Sequence, residues 1–290
     1  MTHTRKLFVL ATIVAASIAL GAKDGITLRK TLQKGVESYH IQSTMKQTIT
    51  LPGGNEQEMG FTSTTAYSYS IGDVDATAGT APVELTTKVE KFDMEGPMAD
   101  MMAGEKDKTL ITTKVSGKLD SRNRFTKDPN KKVDPRAILT GSATTSIIGP
   151  LVEFPEKAVN VGDAWDVLIP KGPTTTNEDQ KLVGKLVAEK EVDGKQVYVV
   201  TVGGTLKMNI NVGELMKANP VPELEAMGAV DMIVTGTLQI SGEANVDKAT
   251  GKTISMTIKI KSNQETSVAA LGDAKIPTVG TSTITVTLDK

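Results

Sequence analysis

The chain has no cysteine, two histidines and only 3% aromatic residues. Without cysteine there is no disulfide framework, no thiolate nucleophile and no thiolate metal ligand. A lipid anchor of the bacterial lipoprotein kind is excluded for the same reason. Aromatic scarcity removes the stacking faces that single-stranded nucleic acid requires, and it leaves Val, Ile, Leu and Met to build the core. Charge of one sign is missing too. Of the 33 Lys and Arg, Arg5 and Lys6 fall in an apparent leader, so the remainder carries 31 bases against 34 acids, a formal charge of −3. That balance points to neither nucleic acid nor an anionic membrane as partner. Long apolar runs are also absent beyond Leu7–Leu20, which is 14 residues, against the roughly 20 that a spanning helix needs.

What is present starts with that run. Arg5-Lys6, the apolar stretch and the small residues Gly21-Ala22 have the layout of a secretory signal peptide over 1–22. The expectation is an exported protein, periplasmic or extracellular, with no integral membrane span once the leader is removed. About 268 residues remain, enough to bury a core without disulfides.

Beyond the leader, period-two alternation dominates in a Thr-rich background. Met256, Ile258 and Ile260 alternate with Ser255, Thr257 and Lys259, and Ile284, Val286 and Leu288 with Thr283, Thr285 and Thr287. One sheet face is then apolar and the other polar. The pattern predicts strands near 27–35, 38–51, 58–72, 83–94, 108–118, 123–127, 163–169, 180–191, 195–211, 230–246, 252–268 and 279–289. Asp193-Gly194 and Asp247 to Lys252 read as hairpin turns, which imply an antiparallel meander. Helical stretches interrupt it at Met94–Gly104 and from Val212 through Gly228. Each leads into a strand reaching a Ser-Gly pair, Ser116-Gly117 or Ser241-Gly242, which suggests a duplication. The organisation read from this is an N-terminal β-rich half at 23–133, a connecting helix and linker at 134–156 that starts at Pro135, and a C-terminal β-rich half at 157–290. The fold class is mainly β: antiparallel curved sheets or half-barrels in two similar halves, with short helices between strands.

Chemical signatures are few. His40 sits inside a strand without an evident nucleophile or acid beside it. Ser43-Thr44-Met45-Lys46 matches the S-x-x-K pattern of serine β-lactamases. A strand would place its Ser and Lys on opposite faces, and S-D-N and K-T-G are missing. Thr250-Gly251-Lys252-Thr253 ends like a phosphate loop, but the required earlier Gly is Val246. Asp73, Asp75, Glu90, Asp93 and Glu95 lack calcium-loop spacing. No catalytic, metal or cofactor residue is therefore assigned, and no cofactor is expected. The methionines have two readings. Met94, Met98, Met101, Met102, Met216 and Met227 line an apolar-ligand site, or they fill gaps in a helix packed over a barrel end.

The most specific run is Phe154-Pro155-Glu156-Lys157-Ala158-Val159-Asn160-Val161-Gly162-Asp163-Ala164-Trp165. It resembles the L-P-x-x-P-V-x-V-G-D-x-W segment of the DUF6263-like family of exported bacterial proteins, with Phe154 for the usual Leu and Ala158 for the usual Pro. Leu28–Gly35 and Thr113–Lys118 are similar to further parts of that family. The resemblance implies an exported, β-rich protein and carries no catalytic residues. In physical terms Gly162-Asp163 make a turn, and Trp165 is a structural anchor whose ring is buried where the halves meet. The function expected is non-enzymatic: an envelope protein binding an apolar small molecule or lipid. A structural or protein-interaction module is the alternative, and a hydrolase using His40 stands behind both. The sequence leaves oligomeric state open.

Overall fold

The computed structural model describes residues 25–97, 99, 112–128, 152–172, 176, 178–218, 232–268 and 274–289. The strands are β1 (Gly35–Thr50), β2 (Glu56–Ile71), β3 (Thr80–Glu95), β4 (Thr112–Asp120), β5 (Phe125–Lys127), β6 (Ala164–Ile169), β7 (Gln180–Val192), β8 (Lys195–Asn211), β9 (Met232–Asp247), β10 (Thr253–Val268) and β11 (Ala274–Leu288). One short helix, α1 (Val212–Ala218), follows β8. Val192 and Lys195 close a hairpin through Asp193 and Gly194, both at positive φ (49° and 75°). Pro135–Leu139, read as a helix start, lies outside the described residues.

All described strands join one antiparallel sheet in the order β5-β4-β3-β2-β1-β11-β10-β9-β8-β7-β6. The expected curved sheets are therefore continuous. The first and last long strands pair in the middle, from Tyr39 opposite Leu288 to Ile49 opposite Thr278. The sheet is open, with β5 and β6 as its two edges.

Ten inter-strand steps in a flat sheet would hold those edges roughly 48 Å apart. In this structure both edges reach the same residue. Arg122, in the turn between β4 and β5, donates to the Glu153 carboxylate at 2.9 Å. Trp165, on β6, donates its indole N–H to the Glu153 carbonyl at 2.9 Å. The sheet is thus rolled at this end, and bulges at Thr64/Thr65 and Leu186/Ala188 add local twist and bend.

The segment 152–163 acts as a strap across the rolled end. Phe154 N–H donates to the Arg122 carbonyl at 2.8 Å, Gly162 N–H to Leu186, and Ile26 and Val159 exchange both backbone bonds. Its apolar side chains Val152, Phe154 and Val159 enter the core with Leu28. Residues 27–33, expected as a strand, are instead an extended tie without a ladder. Lys30 N–H bonds to Ser121 and Thr31 N–H to Thr250, so the alternation serves loop closure rather than sheet pairing. Inner-facing Tyr39, Ile41, Tyr69, Leu119, Leu186, Val200 and Ile258 fill the space beneath.

Arg122 also bonds Glu156 at 2.9 Å and, through Nε, the Phe154 carbonyl at 3.0 Å. Burial holds the Glu153 carboxyl above its ordinary value, and Arg122 opposes that shift. Arg122→Ala should cost about 2–4 kcal/mol at pH 7, because Glu153 is left half-buried and unpaired. The folded carboxyl then holds a proton that the unfolded chain has already released above about pH 4.5. Stability of the variant should fall more steeply than that of the parent as pH rises above that value. Urea unfolding from pH 4 to 8 measures this. Lys181→Ala, which removes an exposed partner of Asp166, should change stability by less than about 0.5 kcal/mol.

Candidate functional site

The inner face changes character along the strands. Near the strap it is filled by Tyr, Phe, Leu, Ile and Val and closed. Further along, the register sets Phe92, Ser63, Ser43 and Ile284 in one cross-strand row, and Met94, Phe61, Met45 and Ser282 in the next. The third row is Met59, Gln47, Gly280, Ser262, Leu238 and Leu206. The last is Gln57, Ile49, Thr278, Gln264, Gly236 and Met208. Most of these side chains are half-buried.

Two soft walls flank a polar middle. On β1, β2 and β3, Met45, Met59, Phe61, Phe92 and Met94 form one wall, with the Phe61 and Phe92 rings 6.0 Å apart. On the other side Ile210 packs with Val212 and Met216 of α1, against Met208, Met232 and Val234. Between the walls lie Gln47, Ser262, Gln264 and Thr278 on β1, β10 and β11. Gln264 donates to the Met208 thioether at 3.7 Å.

At this far end the described sheet narrows to the seven strands from β3 to β8. β4 pairs β3 only as far as Lys88, so Val89–Glu95 of β3 have a ladder on one side among the described residues. The β8 edge is covered differently. The Gln180 side-chain amide accepts from Lys207 N–H at 2.6 Å and donates to its carbonyl at 2.9 Å, standing in for a strand.

Of the sequence-predicted contacts, Met94 belongs to β3 and not to a helix, because the inward parity resumes at Phe92 after the bulge. Met216 is buried on α1 at 2% exposure. The two stand on opposite walls. Met98, Met101, Met102 and Met227 lie outside the described residues. Sequence reading missed Met45, Met59, Phe61, Phe92, Met208 and Met232. Continuing the parity of Tyr39 and Ile41 through Met45 to Ile49 finds the β1 members.

The anchor residues behave mechanically. Asp163 accepts from Asn160 N–H at 2.7 Å, and Gly162 sits at φ 102° in the same turn. Trp165 is half-buried over Gly184, where a Cβ would fall 2.5 Å from its ring. His40 is on the outer face, opposite Ala66 and Thr287. Among the described residues no three His, Asp or Glu could share a metal ion. Of the acidic residues named from the sequence, Asp73 pairs with Lys34 and Asp93 with Lys91, while Asp75 caps its own turn. A cleft beside Leu28, Phe154 and Gly251 has room for about one water.

At the strap end an ionic cluster is buried. Lys30 Nζ lies 2.5 Å from Glu37 Oε2, with side-chain exposures of 0% and 5%. Lys252 reaches the other carboxylate oxygen at 3.4 Å, and Tyr39 donates to Oε2 at 3.5 Å. Burial pushes Lys30 below the usual lysine value, with Glu37 pulling the other way. The cluster pins the N-terminal tie to β1 and offers no access to a substrate.

No family model matches the chain, and no curated protein does. Among solved structures, one of lipid–protein interactions in lipovitellin is similar at 10% identity and TM-score 0.45, matching 90% of this chain. The chain spans about a quarter (26%) of that lipovitellin chain. DynF, from the dynemicin biosynthesis pathway of Micromonospora chersina, is similar at 8% identity over 97% of this chain and 92% of its own, with TM-score 0.24. A DUF1329 family protein from Desulfovibrio piger is similar at 10% identity over 87% and 84%, with TM-score 0.13. At these values none of them assigns a family or a ligand.

Tyr39, Tyr67 and Tyr69 cluster edge to face, with centroids 6.1 and 5.3 Å apart, and burial drives all three phenols well above the ordinary 10.0. Folding then retains protons that the unfolded chain loses, so their contribution to stability is lost as pH rises above about 10. The lowered Lys30 has the opposite sign, stability rising as pH approaches 10.5, but it is one group against three. Absorbance titration at 295 nm should show three of the four tyrosines ionising together with loss of β-sheet circular dichroism. Their ionisation in a protein that stays folded would contradict this packing.

Proposed function

We propose that this chain is an exported, non-enzymatic protein of the cell envelope that binds an apolar or lipid-like ligand in the far-end trough. The observation that carries the reading is the pair of Met- and Phe-rich walls on the inner face, away from the closed strap end. Thioether side chains are flexible and polarizable and adapt to an acyl chain of variable conformation. A sheet closed at one end and less closed at the other is a usual place for such a site.

Other observations support parts of this. The leader 1–22 supports export. The likeness of Phe154–Trp165 to the DUF6263-like segment supports both export and a β-rich fold. No described helix is long and apolar enough to cross a membrane. At the β8 edge, Gln180 occupies the backbone groups of Lys207 that a recruited strand would use.

Protein purified from its own host should carry an apolar molecule, seen by native mass spectrometry and released by organic extraction. A fluorescent acyl-chain probe should bind the emptied protein, and Met94→Gln should weaken it by about tenfold through lost apolar contact. A clean protein that takes up no probe would contradict the reading.

A further inference from the structure

Among the described residues the trough is uncharged inside and charged outside. Lys46, Glu58, Lys261, Glu265 and Lys207 all occupy the alternate strand positions that point away from it. The inward positions between them are Gln47, Gln57, Ser262, Gln264 and Thr278. These polar groups concentrate on the central strands, between the two walls.

The centre of the polar stripe is a glycine. Gly280 lies directly between Gln47 and Ser262 in the register. A Cβ on Gly280 would fall 2.9 Å from Ser262 Oγ and 3.2 Å from Gln47 Cβ. Ser262 Oγ and the Gln47 stem therefore lean over the bare backbone of Gly280 from either side, which brings the two polar residues closer than a side chain between them would allow. Gln47 can donate and accept, and Ser262 can do both. No hydrogen bond joins either side chain to another group among the described residues.

Resting on the reading that this trough binds an acyl chain, we propose that the ligand is an uncharged amphiphile: a single-chain acyl lipid with a hydroxyl-bearing head. The head sits on the polar stripe against Gln47 and Ser262, and the chain lies against the thioether walls. A carboxylate or phosphate there would lose hydration with no cation among the described inward side chains to replace it. A hydroxyl exchanges its water bonds for an amide and a serine at little cost.

The test is titration calorimetry of the lipid-free mature protein at pH 8 with monododecanoylglycerol and with dodecanoate, each below its micelle concentration. The glycerol ester should bind about tenfold more tightly or better. Gln47→Leu should bring the two ligands to within about threefold by weakening the ester alone, and Ser262→Ala repeats the test if the first variant does not fold. Equal or tighter binding of dodecanoate to the parent protein would overturn the uncharged head and leave the trough as an acyl-chain site. Binding of neither ligand by a cooperatively melting protein would overturn the acyl-chain reading, and this one with it.

Discussion

Closure of the rolled end by Glu153 is the constraint on which the molecule depends. An eleven-stranded antiparallel sheet with one apolar face has no second layer among the described elements to cover that face. Burial must come from curling the sheet on itself. Arg122 and Trp165 come from opposite ends of the strand order and meet at one residue of a strap, whose Phe154 and Val159 fill the space between. The bond energies are individually modest, but the geometry they impose brings Leu119 of β4 and Leu182 of β7 into one core. Fully burying a Leu-sized side chain is worth about 1.5–3 kcal/mol, so curling that many side chains inward outweighs the ionic contacts that enforce it.

Closure at one end shapes the other. Near the strap each long strand contributes Tyr, Ile, Val or Leu inward. Toward the far end the same strands contribute Met, Phe, Gln and Ser. The change follows the loss of strand partners among the described residues, where β4, β5 and β6 cover only the strap-end part of the sheet. Fewer partners leave half-buried positions, where flexible thioethers and uncharged polar groups are tolerated and aliphatic packing is not required. The same gradient separates a stabilising end, with its Lys30–Glu37 pair, from the end assigned to a ligand.

The architecture was largely readable from alternation. Strand boundaries over β7–β11 follow the period-two pattern within a few residues, and Asp193-Gly194 marks its hairpin. Three things were not readable. Residues 27–33 alternate like a strand, yet they tie the β4–β5 turn, the β9–β10 turn and, through the Arg29 guanidinium on the Pro155 and Glu156 carbonyls, the strap, a distinction made by long-range partners that local pattern does not encode. The β1–β11 pairing joins the two ends of the chain, and no sequence signal specifies it. The methionine site was sought in helical stretches, while much of the described wall lies on strands. Met45 and Met59 were legible by parity alone. The Gln47–Gly280–Ser262 row depends on a register between β1, β11 and β10 that only the folded sheet sets.

The central claim is that the sheet is rolled so that its edges approach one another at the strap. The cysteine-free chain allows spin labels at Thr126→Cys on β5 and Asp166→Cys on β6, both exposed, without background. Double electron–electron resonance between them should give a single distance below about 30 Å, against the roughly 48 Å of ten flat inter-strand steps. A distribution centred near the larger value would contradict the rolled sheet, and with it the filled end and the trough.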